Sequence, residues 1–219
     1  HDINYLAHAG VLGLCGPANA PPAVPGVQVA DVGGGSLQAA IGVLAALMER
    51  DKTGKGRHLD ISLMHGAAAF GAVAFAGAAA GFSEARGTGL LSGGGVCYGC
   101  YETADGRYLA LGALEPRFFA TFCHLAERPD LADKGFLWGD AAKDAMEDLR
   151  ALFKSRSASD WLDLCAGHDV CLTLVRTPVP IRPRWPQNTL GFFFFTTLHA
   201  TRNTRHNLNM DVAAQSMHT

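Results

Sequence analysis

An α/β fold is predicted for this chain by three observations. From Ser36 to Arg50, apolar residues recur at Leu37, Ala40, Ile41, Leu44, Leu47 and Met48, the 3.6-residue spacing of an amphipathic helix. Ala104-Asp105-Gly106 separates two short apolar runs, and Asp-Gly supplies the positive backbone angles of a tight hairpin. Helical periodicities resume after that hairpin, so a small sheet and helices share the chain.

The first helix is bounded by Gly33-Gly34-Gly35 before it and Asp51-Lys52-Thr53-Gly54 after it. Arg57 to Ser62 alternates and is short, which predicts a strand. A long helix rich in Ala and Gly is expected from Leu63 to Ala80, where small side chains let helices approach closely. Its apolar run from Gly66 to Phe82 is dominated by Ala and Gly rather than Leu and Ile, which favours a packed helix of a soluble protein over a membrane span. Glycine punctuation from Gly87 to Gly95 reads as a loop. The hairpin strands are placed at Cys97 to Thr103 and Arg107 to Leu111. Helices are expected at Pro116 to Ala126, Asp140 to Lys154 and Asp160 to Cys165, the last capped by Ser157 with Asp160. Val170 to Val175 reads as a final strand. The hairpin and its helices form a small α+β domain, joined to the first portion by the long helix and the glycine loop.

After Pro178 the character changes. Residues 179–219 contain four Arg, one Asp, no Lys and no Glu, with Pro180, Pro183, Pro186 and four consecutive Phe at Phe192 to Phe195. Neither periodicity survives there, so this stretch reads as an atypical, disordered tail. Its Phe run is an aggregation liability if nothing covers it.

The 219 residues are 48% hydrophobic and 17% charged, ordinary for a folded protein with a sizeable core. A net charge of -2 lacks the basic excess that nucleic acid or an anionic membrane surface calls for. Six cysteines, at 15, 97, 100, 123, 165 and 171, lie in apolar segments of a chain that needs no disulfide scaffold, which points to a reducing compartment. No basic region followed by an apolar stretch and a cleavage site marks a signal peptide.

Chemistry concentrates near the start. His1-Asp2-Ile3-Asn4-Tyr5 opens the chain, and Asp31 stands just before the glycine run that leads into the first helix. Histidine titrates near neutrality, and a helix N-terminus favours negative charge beside it. Taken singly, each residue has a plainer reading: an exposed terminal His, an Asp that caps a helix, and at Glu115 a first-turn charge before Pro116. Cys97-Tyr98-Gly99-Cys100 has redox-motif spacing, but residues three apart on a strand face opposite sides and no second pair follows. Of the nine His, His199, His206 and His218 lie in the atypical tail and the others do not fall at i, i+4 ligand spacing with a carboxylate, so no metal is implied.

The segments HDINYL, QVADVGGGSLQAAIGVLAALMERDKTGKGRHLDISLM and YETADGRYLALGALEPRFF, in that order and spacing, resemble the class III CoA-transferase (CaiB/BaiF-like) superfamily, and within it the 2-methylacyl-CoA racemase branch. The resemblance covers residues 1 to about 178. It implies that residues 1–62 end a Rossmann-like large domain, 63–96 supply a linker helix and glycine loop, and 97–178 form the small α+β domain. Starting within a family motif, the chain reads as an internal fragment. Its relatives' continuation after Arg176-Thr177-Pro178 is acidic and helix-forming, unlike the tail.

Residue by residue, the resemblance implies catalytic roles for His1, Asp31 and Glu115. Racemisation removes the proton next to a thioester carbonyl and returns one to the opposite face. His1 and Asp31 are thus expected to flank that carbon as base and acid, each such group contributing about 10²–10⁴-fold. Glu115 is expected to orient the imidazole. Asp2, Tyr5, Gly33, Gly34 and Gly35 are expected to bind substrate, with amides of the Asp31 to Gly35 turn facing the enolate oxygen. In transferases of the same superfamily, Asp at the Asp31 position is instead a nucleophile. An inactive remnant is the third reading. Two departures put the acyl group in doubt: His65 replaces a common acidic residue, and Gly87 to Ser92 lacks a Met-Leu-Asp pattern. The resemblance also implies acyl-CoA as substrate with no separate cofactor, and an interlocked homodimer with a site shared between subunits. Poor CoA binding by this polypeptide alone is expected, with a cytoplasmic location, or a peroxisomal or mitochondrial one in a eukaryote.

Overall fold

The computed structural model describes residues 1–82 and 84–177, so the expectations for 179–219 lie outside the described residues. Within His1–Thr177, one compact unit, side chains bury themselves in two clusters. The first gathers Leu6, Val11, Ala30 and Ala67. The second is much larger and spans Val96 to Val170.

Helix α1 (Asp2–His8) opens the chain and buries Leu6 completely. Burying one Leu stabilises by about 1.5–3 kcal/mol, enough to seat so short a helix. A π-helical turn at Val29–Ser36 then runs directly into α2 (Leu37–Thr53). Gly54, at φ +70, ends α2 and donates its amide to Arg50 O at 2.7 Å, the left-handed stop that a residue without Cβ adopts at least cost. The α2 helix thus matches its sequence expectation, but none of its residues is buried. Leu37, Ile41, Leu44, Leu47 and Met48 are all exposed, Met48 by 65%. The apolar stripe exists and nothing among the described residues covers it. By length and composition alone, Val29–Thr53 is apolar enough to cross a membrane, although its first turns pack against α3.

Two expectations fail after α2. Arg57 to Ser62 forms no strand; alternation supplies a candidate, but pairing needs a neighbouring strand, and none lies beside it among the described residues. Ser62 instead caps α3 (Leu63–Ala68), its Oγ accepting from the His65 amide at 3.2 Å. The single helix expected from Leu63 to Ala80 is broken by a 3₁₀ turn at Ala69–Gly71 before α4 (Ala72–Ala79). Gly71, at φ -88 and ψ 3, leaves the helical well, which costs glycine least.

The sheet is antiparallel in the order β1 (Tyr98–Glu102), β2 (Tyr108–Gly112), β3 (Leu172–Leu174). Tyr101 faces Leu109, and Leu109 faces Leu174, which aligns their side chains on one face of the sheet. Gly106 turns the hairpin at φ +73, as the Asp-Gly signal requires. Against that face pack α5 (Pro116–Leu125), α6 (Lys143–Phe153) and α7 (Ala158–Leu164). Phe153 stacks on Tyr101 at 4.7 Å between ring centres and on Phe122 at 5.3 Å. Buried Trp161 donates its indole N–H to Phe153 O at 2.9 Å, so the ring enters the core without an orphaned donor. The predicted capping of α7 is present, with Ser157 Oγ accepting from the Asp160 amide at 3.2 Å. Cys97, in the turn just before β1, is buried, and Cys100, within β1, is exposed.

Candidate functional site

Asp2 organises the first site region. Its Oδ1 accepts the amide of Ala30 at 2.8 Å and the amide of Asp31 at 2.9 Å, tying the first turn of α1 to the start of the π-helical turn. His1, whose carbonyl accepts the amides of Asn4 at 2.9 Å and Tyr5 at 3.2 Å, therefore opens a helix whose first residue is anchored on Asp31. The structure thus brings His1, Asp2 and Asp31 into one neighbourhood, although 28 and 29 residues separate the bonded partners. Tyr5 lies half-buried one turn along α1, packed against the Leu6, Val11, Ala30 and Ala67 cluster.

Asp31 is held on both sides. Its amide goes to Asp2, and its carbonyl accepts the hydroxyl of Ser36 at 3.0 Å. Its own carboxylate is exposed and takes no side-chain hydrogen bond among the described residues. One consequence corrects an expectation: the Asp31 amide, expected to face an enolate oxygen, is already engaged by Asp2, and the Val32 amide donates to Gln28 O at 3.0 Å. Amides past the first turn of a helical segment are consumed by its own ladder.

The glycine run has a packing reason of its own. A methyl group at Gly34 would stand 2.7 Å from both Ala67 N and Leu63 O, and one at Gly33 would stand 2.7 Å from the Phe70 ring. A methyl on Gly35 would come within 3.1 Å of Leu63 Cγ. Facing them, a methyl at Gly66 would overlap the Gly34 carbonyl group. Backbone thus meets backbone where the π-helical turn crosses α3, and only glycine permits that approach. π-Helical turns of this kind recur at functional sites, where they aim a side chain out of register with the following helix.

Glu115 lies within the Val96 to Val170 segment that carries the larger cluster, but outside that cluster. It is the exposed N-cap of α5, its carbonyl accepting the Phe118 amide at 2.9 Å, and its side chain makes no capping bond. No hydrogen bond or ion pair joins Glu115 to His1 or Asp31 among the described residues. His65, also exposed, contributes only its amide, to the cap of α3.

Arg86 carried no signal in the sequence. It donates Nε to Pro17 O at 3.1 Å and a second N–H to Ala20 O, fastening the glycine loop to the loop ahead of the π-helical turn. Beside it, Gly87 at φ +72 lies so near Gly16 that an added methyl would sit 2.8 Å from Gly16 O. An isolated Arg after Ala85 has no spacing that would announce two carbonyl partners more than sixty residues earlier.

Residues 1–216 match the model of CoA-transferase family III. Alpha-methylacyl-CoA racemase from Mus musculus is 33% identical over 186 residues, a match covering 81% of this chain and 47% of the relative. The racemase of the same name from Homo sapiens is 34% identical over 179 residues, and human succinyl-CoA:glutarate CoA-transferase is 32% identical over 175. A crystal structure of a CaiB/BaiF family protein from Brucella suis superposes with a TM-score of 0.62 at 25% identity, covering 81% of this chain and 48% of that one. The chain spans about half the length of these relatives.

Proposed function

We propose, from the premise that this chain belongs to CoA-transferase family III, that it carries acid/base residues of a 2-methylacyl-CoA racemase, acting on the carbon next to a CoA thioester. The observation that carries this reading is the pair of bonds that Asp2 accepts from the amides of Ala30 and Asp31, which ties the first turn of α1, opened by His1, to the backbone of Asp31, whose exposed carboxylate takes no side-chain hydrogen bond among the described residues. Two groups of suitable type are in this reading expected to flank one reacting carbon. His1 takes the proton from one face and Asp31 returns one to the other, and the roles exchange when the opposite epimer enters. The thioester carbonyl takes up the electron pair as an enolate, which collapses on reprotonation.

Glu115, whose side chain makes no capping bond on α5, completes the site from a second copy by holding the imidazole in one orientation. The similarity to two racemases supports the reaction type, and the His1-Asp2-Ile3-Asn4-Tyr5 opening supports it over group transfer.

The test uses the native gene product that carries this chain, incubated with one epimer of a 2-methylacyl-CoA in heavy water. Deuterium is expected at the α-carbon together with loss of configuration, and Asp31→Asn is expected to abolish both. Retained configuration with CoA moving to an added free carboxylate would overturn the reading in favour of a transferase in which Asp31 is the nucleophile, the chemistry named for the human glutarate enzyme.

A further inference from the structure

Among the described residues, Asp2 is the side chain that bonds two successive amides of the Asp31 turn, and it does so through a single oxygen. Two bonds converging on one acceptor from the successive amides of Ala30 and Asp31 hold the orientation of both peptide planes, the later one through its own N–H. That plane joins Ala30 to Asp31, so its orientation sets the direction in which the Asp31 side chain leaves the backbone. Ser36, bonded to the Asp31 carbonyl at 3.0 Å, fixes the far side of the same residue. Asp31 thus combines a backbone held at both ends with an exposed carboxylate that takes no side-chain hydrogen bond among the described residues. Purely structural anchoring of the turn does not need this arrangement, because Gly34 already packs backbone to backbone on α3 and Ala30 is fully buried.

We propose that Asp2 is a positioning residue, one that acts on the reaction by aiming Asp31 rather than by touching substrate; this rests on the acid/base reading above. The carboxylate charge strengthens both bonds over neutral ones. A proton-transfer group displaced by about 1 Å loses on the order of 10²-fold in rate even when the substrate still binds.

The experiment compares Asp2→Ala and Asp2→Asn in the native gene product, by α-hydrogen exchange kinetics and by amide hydrogen exchange at Ala30 and Asp31. Asp2→Ala is expected to lower kcat about 10²-fold with KM changed less than about threefold, and to lose amide protection at those two residues while the amides of α2 keep theirs. Asp2→Asn keeps an acceptor oxygen and is expected to restore protection and most of kcat. A kcat that falls only in proportion to the folded fraction, a loss confined to KM, or unchanged protection at Ala30 and Asp31 in Asp2→Ala would each overturn the proposal. Absence of α-hydrogen exchange in the unsubstituted protein would instead overturn the acid/base reading, with amide protection still deciding whether Asp2 holds the turn.

Discussion

Replacing Gly66 by Ala sets two effects of opposite sign against each other, and the geometry decides between them. Gly66 lies inside α3, where Ala is favoured over Gly by about 1 kcal/mol in helix propensity. The added methyl, however, would stand within 2.6 Å of the carbonyl carbon and Cα of Gly34. Both partners are backbone, so no rotamer change relieves the overlap and the helices must separate. Overpacking of this kind costs about 1–3 kcal/mol, and with no flexible side chain to yield the upper end applies. The net loss is about 2 kcal/mol, a fall in Tm of about 4–8 °C for a chain of this size. Gly42→Ala in α2 is the control of opposite sign. Its methyl would meet only Ile61 Cδ1 at 3.5 Å and Leu59 Cδ1 at 3.6 Å, ordinary contact distances. The propensity gain then stands alone, about 0.5–1 kcal/mol, raising Tm by roughly 1–4 °C. Thermal melts followed by circular dichroism measure both. If Gly66→Ala melts at or above the parent, or if Gly42→Ala falls as far as Gly66→Ala, the close crossing of the π-helical turn and α3 is not what fixes the Asp31 turn.

Stability on the acid side should depend on Asp105. The Thr103 hydroxyl at 2.5 Å, followed by the Ala158 amide at 3.1 Å, holds its carboxyl below the ordinary carboxylate value. A depressed native value stabilises the fold above the unfolded pKa, about 3.9, and that contribution fades as pH falls through the native one. Urea midpoints of Asp105→Asn between pH 6 and pH 2 are therefore expected to decline less steeply than those of the parent, and parallel curves would refute this. Cysteine reactivity should divide by burial. Desolvation raises the thiols of Cys97, Cys123 and Cys165, that of Cys123 to about 12, whereas Cys100 and Cys171 are exposed. A disulfide reagent at pH 8 is expected to modify Cys100 and Cys171 in the native protein and the three buried thiols only after unfolding; prompt native reaction at Cys123 would contradict the core described above.

Features encoded within a few neighbouring residues could be read directly from the chain. The Asp105-Gly106 reversal, the capping of α7 by Ser157 and Asp160, and the 3.6-residue period of α2 each depend on local backbone energetics, and each is present within one to three residues of its expected place. Helix α1 escaped notice because seven residues hold too little periodicity to stand out, and its stability comes from burying Leu6 against residues far along the chain. His1, Asp31 and Glu115 were identifiable as candidates from their motifs, while their spatial relations were not. The carboxylate of Asp2 meets amides 28 and 29 positions away, and no local pattern announces such a bond.

Residue types and short spacings were thus enough to specify the α2 helix, the capped start of α7, the hairpin turn and the family this chain joins. Folding alone settled, among the described residues, that Arg57 to Ser62 joins no sheet, that the glycines before α2 serve a backbone crossing, and that the α2 stripe lies exposed. The division follows from range. Capping and periodicity act over one or two turns, whereas pairing, burial and the aim of Asp31 depend on which distant segment arrives alongside.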